Sequence, residues 1–202
     1  MFRMITVALI FLLAHGTFLT SDSTWPPPEK LAQSLQQRYQ QISDFSADFV
    51  HIYQGGVFRQ QVTERGTMAI KKPGMMKWTY TKPERKLFIS NGRKLYSYLL
   101  EDKQVIISEA PSNNQTTPAT FLAGKGNLVK DFTASYSQDL PTPETYKLRL
   151  VPSKSGPEYK YLTIVIDRVT LQIRGLSTTD YQGGQSIFSF SNLKENQGLS
   201  EQ

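Results

Sequence analysis

One helical stripe, followed by period-two alternation for the rest of the chain, leaves this sequence few ways to fold. Phe45, Ala47 and Phe49 alternate with polar neighbours, as do Met76, Trp78 and Tyr80. The pattern continues in Phe132, Ala134 and Tyr136, in Tyr146, Leu148 and Leu150, and in Leu162, Ile164 and Ile166; Phe188 and Phe190 close it. Successive side chains of a strand point to opposite faces, so each run predicts a strand with one apolar face. Turn-forming pairs separate the runs: Pro73-Gly74, Asn91-Gly92, Glu101-Asp102 and Gly183-Gly184. Asn91-Gly92, between Leu87–Ile89 and Leu95–Tyr98, is the strongest hairpin signal. Roughly ten short strands are predicted, spaced as in an antiparallel sheet or barrel.

The helix comes first. After Pro26-Pro27-Pro28, residues Glu29 to Ile42 carry Leu31, Leu35, Tyr39 and Ile42 at helical spacing, with Gln36, Gln37, Arg38, Gln40 and Gln41 on the other faces. A second, short helix is predicted at Pro118 to Ala123, stopped by Gly124. The predicted fold is mainly β (α+β): one antiparallel sheet whose concave face receives the apolar stripe of the helix.

Ahead of the helix, Arg3 and the apolar run Ile5 to Ala14, followed by Ala14-His15-Gly16, have the form of a secretory leader. The leader is assigned to residues 1–20 with cleavage after Gly16, and residues 25–202 to a single domain. The apolar run is short for a membrane span, which needs about 20 residues. Net charge is +6, one less once Arg3 leaves with the leader. The basic residues are interleaved with acids, and the pairs Lys71-Lys72 and Arg85-Lys86 read as solvated strand ends, so no nucleic-acid partner is implied.

Reactive chemistry is scarce. The chain has no cysteine, which excludes disulfides, thiolate metal sites and cysteine nucleophiles. Of its two histidines, His15 lies in the leader; His51 alone cannot build a multi-histidine metal site, and reads as a surface or hydrogen-bonded side chain. Gly124-Lys125-Gly126 lacks the leading glycine and trailing Ser/Thr of a phosphate loop. Asp48, Glu64, Glu84, Glu109 and Asp180 show no spacing that favours a glycosidase pair. Asn114-Gln115-Thr116 matches a glycosylation acceptor at chance level. No catalytic residue, metal site or cofactor is expected. Met68, Met75 and Met76 cluster beside Trp78 and Tyr80, which suits either an adaptable apolar surface or an irregular core.

The stretch Gly66-Thr-Met-Ala-Ile-Lys-Lys-Pro-Gly-Met-Met-Lys-Trp-Thr-Tyr80, then Pro83, then Ser90-Asn-Gly-Arg-Lys-Leu-Tyr-Ser-Tyr98, resembles the central signature of the LolA family. These are periplasmic carriers of outer-membrane lipoproteins in Gram-negative bacteria. Ile42 to Phe49 resembles the family's first strand, Thr117 to Ala123 its mid-chain helix, and Leu162 to Ser191 its later strands. The resemblance implies an incomplete antiparallel β-barrel, a strongly curved sheet of ten or eleven strands, with both helices forming a lid over an apolar cavity. It implies acylated lipoproteins as cargo, an inner-membrane lipoprotein-releasing ABC transporter as donor and an outer-membrane lipoprotein as acceptor, served by a monomer in the periplasm.

The expected cavity lining is Leu31, Leu35, Phe49, Met68, Ile70, Met76, Trp78, Tyr80, Tyr96, Tyr98, Phe121 and Leu122. By the resemblance, Lys72 stands where the family has an arginine that latches the lid through backbone carbonyls, here at Leu122 and Ala123. Met76 stands where the family has a rim aromatic facing the transporter. The sequence ends without the family's closing Phe-rich strand, which the resemblance would read as an incomplete barrel edge. A related lipid-binding or sensing module and an exported hydrolase are the alternatives to a carrier.

Overall fold

The computed structural model describes residues 25–55, 60–110, 121–138, 142–154 and 159–200. The leader and residues 118–120 of the expected mid-chain helix lie outside them. Helix α1 spans Pro28–Gln40. It stops two residues before Ile42 because the amide of the cap residue Gln41 turns back to Arg38 O at 3.1 Å. Its buried stripe is Leu31, Ala32, Leu35, Gln36 and Tyr39. Gln36, expected on a solvent face, instead accepts from the Leu128 amide at 2.8 Å.

Six strands follow: β1 Asp44–Gln54, β2 Gln61–Lys71, β3 Met75–Lys82, β4 Lys86–Asn91, β5 Lys94–Leu99 and β6 Gln104–Glu109. A short helix, α2, spans Leu128–Asp131. The sequence reading missed it; the Asn127 side chain nucleates it by accepting from the amides of Val129 and Lys130. Phe121 and Leu122 are helical, and Gly124, at φ +76°, ends that turn with its amide on Phe121 O. The chain then forms β7 Phe132–Tyr136, β8 Thr145–Pro152, β9 Tyr159–Asp167, β10 Ile173–Asp180 and β11 Gln185–Glu195.

All eleven strands belong to one antiparallel sheet in the order β6-β5-β4-β3-β2-β1-β11-β10-β9-β8-β7. The chain starts in the middle, meanders to one edge, crosses through the segment that carries Phe121 to Asp131, and meanders back to pair β11 with β1. Among the described residues the edges are β6 and β7, so the sheet is open. β11, the last strand among the described residues, lies inside the sheet between β1 and β10.

The alternating runs fall on one face. Phe45, Ala47 and Phe49 of β1, Met68 and Ile70 of β2, Leu148 and Leu150 of β8, and Leu162, Ile164 and Ile166 of β9 are all buried there against α1, Phe121, Leu122 and Leu128. Gly66 lets Phe49 lie flat across β2: a Cβ at residue 66 would sit 2.8 Å from Phe49 Cζ and 2.0 Å from Thr79 O. β1 and β2 stay in close contact there because residue 66 has no side chain.

Candidate functional site

Directly paired residues of an antiparallel ladder share a face, so the register lays out the apolar surface in rows. Phe45, Ile70, Met76 and Ser90 make one row, and Ala47, Met68, Trp78 and Phe88 the next. The structure brings Leu31, Leu35, Phe49, Met68, Ile70, Met76, Tyr80, Phe121 and Leu122 into one buried cluster, with Trp78 half-buried against it. Met76 is buried in the row between Ile70 and Ser90, not presented at a rim.

Tyr96 and Tyr98 require a correction. The register runs Lys77–Ile89–Tyr96 and Thr79–Leu87–Tyr98, which puts both tyrosines on the face opposite Trp78. The Asn91-Gly92 turn fixes that pairing, and a strand shifted by one residue turns every side chain over. Tyr98 is 37% exposed.

The void bounded by Arg38, Tyr39, Phe45, Leu122, Ile173, Phe190, Leu193 and Glu195 has about 10 Å³, room for one water at most. Of the side chains expected to line a hollow, Leu122 alone bounds this void. A much larger groove, about 780 Å³, lies against polar side chains including Asp48, Thr67, Lys77, Thr79, Asn192 and Lys194. Its lining does not suit an acyl chain.

A small set of polar bonds holds the covering elements down. The Lys72 ammonium donates to Tyr39 O at the end of α1 and sits 4.0 Å from the centroid of the Tyr39 ring. The Tyr39 hydroxyl donates to Leu122 O at 2.7 Å, and the Gly74 amide to Ala123 O at 2.8 Å. The Lys125 ammonium donates to Gly92 O at 2.9 Å. These bonds differ from those expected of a latch: the carbonyls of Leu122 and Ala123 accept from Tyr39 and Gly74, and Lys72 donates to α1. A lysine offers one compact ammonium, with no fork to span several carbonyls. Burial lowers the Lys72 pKa to about 8 against the pull of Glu195, and burial pushes the Tyr39 phenol well up.

A second tie joins α1 to β11. Arg38 meets Glu195 at 3.1 and 2.7 Å, and its Nε donates to Thr170 O at 2.6 Å. Beyond β11, buried Asp44 accepts from the amides of Gln197 and Gly198.

Towards the other end of β1, Phe49 packs edge-on against Trp78 and Tyr80, with centroids 5.1 and 4.8 Å away. Trp78 and Phe188 are 5.3 Å apart. Next to these rings stands a hydrogen-bonded group that sequence reasoning left as scattered residues: His51, Glu64, Lys86 and Ser186. Lys72 and Lys86 are thus engaged side chains, not solvated strand ends. Local spacing carried no signal for either role, because Tyr39 lies in α1 and Glu64 in β2. Among the described residues no three His, Cys, Asp or Glu gather as metal ligands, and no helix is long and apolar enough to cross a membrane.

The family model described as "Outer membrane lipoprotein carrier protein LolA" matches residues 40–202. An outer-membrane lipoprotein carrier protein of Methylococcus capsulatus is 29% identical over 184 residues, covering 91% of this chain and 83% of the relative. One of Chromohalobacter salexigens is 27% identical over 190 residues, covering 94% and 88%. Among solved structures, an uncharacterized conserved protein of Thermus thermophilus superposes with a TM-score of 0.53 at 13% identity, covering 84% of this chain and 90% of the other. That likeness concerns the fold.

Proposed function

The chain belongs to the LolA family of outer-membrane lipoprotein carriers, and on that premise we propose that it is a periplasmic carrier whose concave face takes up the acyl chains of a lipoprotein. One observation carries the reading: the apolar face of the open sheet is covered by α1 and residues 121–123, and the cover is held by the bonds around Lys72, Tyr39 and Gly74. Such a cover can lift without breaking the sheet. Lifting it exposes Leu35, Met68, Phe121 and Leu122 to a ligand that replaces the contacts they make with one another.

The energetics suit the task. An acyl chain gains about 0.8 kcal/mol per methylene on leaving water, so a single chain amounts to roughly 10 kcal/mol. That would strand a lipoprotein in its membrane unless a protein shields it. A carrier needs an apolar surface and a movable cover, and no catalytic group. In this reading an inner-membrane ABC transporter supplies the cargo and an outer-membrane lipoprotein accepts it.

The experiment is to isolate the protein from periplasm and identify by mass spectrometry what comes with it. Acylated lipoproteins are expected. A diacyl phospholipid or free fatty acid in their place would move the reading to a related lipid-binding module.

A further inference from the structure

The concave face is apolar along most of its length and changes character at one end. Six residues along β1 from Phe45, about 20 Å from the latch, His51 takes the inward position, paired with Glu64 and Phe188. Lys86 of β4 and Ser186 of β11 join them. Glu64 is the hub: it accepts from Lys86 Nζ at 2.8 Å through Oε1, and its Oε2 is 3.0 Å from His51 Nδ1. A carboxylate only accepts, so His51 carries a proton on Nδ1. Burial lowers the His51 pKa despite Glu64, so the ring is neutral near pH 7 and its Nε2 accepts from the Ser186 hydroxyl 2.9 Å away. The Ser186 oxygen keeps lone pairs to offer. Lys86, with Glu84 as its second acceptor at 3.3 Å, keeps a third donor among the described residues.

The group is continuous with the rings. His51 stacks on Phe188 with centroids 4.0 Å and planes 2° apart. Phe188 in turn meets Trp78 at 5.3 Å and Phe49 at 6.0 Å. The side chains of His51 and Glu64 are 14% and 12% exposed. Withdrawing such groups from water is costly, and apolar side chains of similar size would stabilise the sheet at least as well.

We propose that His51, Glu64, Lys86 and Ser186 form the subsite for the polar head of an acyl ligand: the ester and amide groups that join acyl chains to a peptide. Those groups present both carbonyl acceptors and N–H donors, which Lys86 and Ser186 complement, while the chains run from there across Phe188, Trp78 and Phe49. The order Ser–His–Glu looks like a hydrolytic relay, but Ser186 lies inside the sheet, paired with Tyr53 and Thr178. Its amide belongs to the ladder and cannot hold an oxyanion, and Lys86 already neutralises Glu64. The geometry serves binding.

The inference rests on the carrier reading, and two probes separate their fates. One is a tripalmitoylated cysteinyl peptide with a fluorophore at its C-terminus; the other is a pyrenyl alkane of similar chain length with no ester or amide. Losing one neutral hydrogen bond corresponds to about a threefold to tenfold change in affinity. Ser186→Ala is expected to weaken the lipopeptide by that factor and leave the pyrenyl alkane unchanged; His51→Phe, which keeps the stack on Phe188 but lets the Ser186 hydroxyl turn, is expected to weaken the lipopeptide by a smaller factor and leave the alkane unchanged. Equal weakening of both probes would make the group a packing element and overturn the proposal, as would unchanged binding of the lipopeptide. If the parent protein binds neither probe, the carrier reading itself falls, and the subsite with it.

Discussion

Lys72 donates to the main-chain carbonyl of Tyr39 and lies over the same residue's ring, so one side chain both caps the end of α1 and packs on it. Tyr39 passes the connection on through its hydroxyl to Leu122 O. A strand end, the helix and the crossover segment are thus coupled through two residues.

Replacing Lys72 with methionine, or Tyr39 with phenylalanine, is expected to loosen the cover. Tyr39→Phe takes the hydroxyl donor from Leu122 O, at a cost of about 1–3 kcal/mol, and Lys72→Met leaves Tyr39 O with the longer bond from the Ile42 amide at 3.3 Å. Hydrogen exchange should quicken in α1 for Lys72→Met and around Leu122 for Tyr39→Phe, with β8 to β10 unaffected. Binding of an apolar fluorescent lipid should tighten, because less is spent on opening. Unchanged exchange at both places would mean that these bonds do not hold the cover.

Lys72 also gives a pH dependence with a definite sign. Its pKa falls from 10.5 to about 8 because burial disfavours the ammonium. Between about pH 8 and 10.5 the unfolded chain therefore holds a proton that the folded one has released, and folding becomes more favourable as pH rises through that window. Unfolding midpoints of the parent and of Lys72→Met, measured at pH 7.5 and pH 9.5, should differ in the parent's favour by more at the higher pH. A difference that shrinks with pH would reverse the assignment.

Gly66→Ala should be among the most damaging single-methyl changes in the sheet. The new Cβ meets backbone at Thr79 O and the Phe49 ring, and neither can retreat without moving a central strand. A loss on the order of 3 kcal/mol is expected, read as a lowered denaturant midpoint. With Phe49→Leu added, the double variant should lose less than the sum of the two single losses, since the ring is one of the two obstructions.

Arg38 and Glu195 form a two-pronged pair in a partly buried setting, with side chains 25% and 17% exposed. A double-mutant cycle with Arg38→Met and Glu195→Gln should give a coupling of about 1–2 kcal/mol. Exposed pairs give less than 1 kcal/mol, so a value near zero would mean that α1 is not held to β11 by charge.

The parts of the fold that were legible in the sequence are local ones. The inward set Phe45, Ala47 and Phe49, the sets Leu148–Leu150 and Leu162–Ile164–Ile166, the stripe Leu31–Leu35–Tyr39 and the Asn91-Gly92 turn each depend on a few adjacent residues. Helix α2 escaped notice because its start depends on one asparagine and on Gln36, 92 residues earlier in the chain.

Within a strand, backbone geometry alone makes side chains alternate, and within a helix it alone sets the apolar stripe. The sequence by itself therefore determined a one-faced sheet, a helix to cover it and a lack of cysteine chemistry. Register between strands is a different matter. It turned Tyr96 and Tyr98 outward and joined His51 to Ser186 across 135 residues, while the docking of α1 gave Lys72 the Tyr39 carbonyl in place of those of Leu122 and Ala123. Those pairings were decided by the tertiary structure, because a side chain's partners across a sheet are set by how distant segments dock and not by its neighbours along the chain.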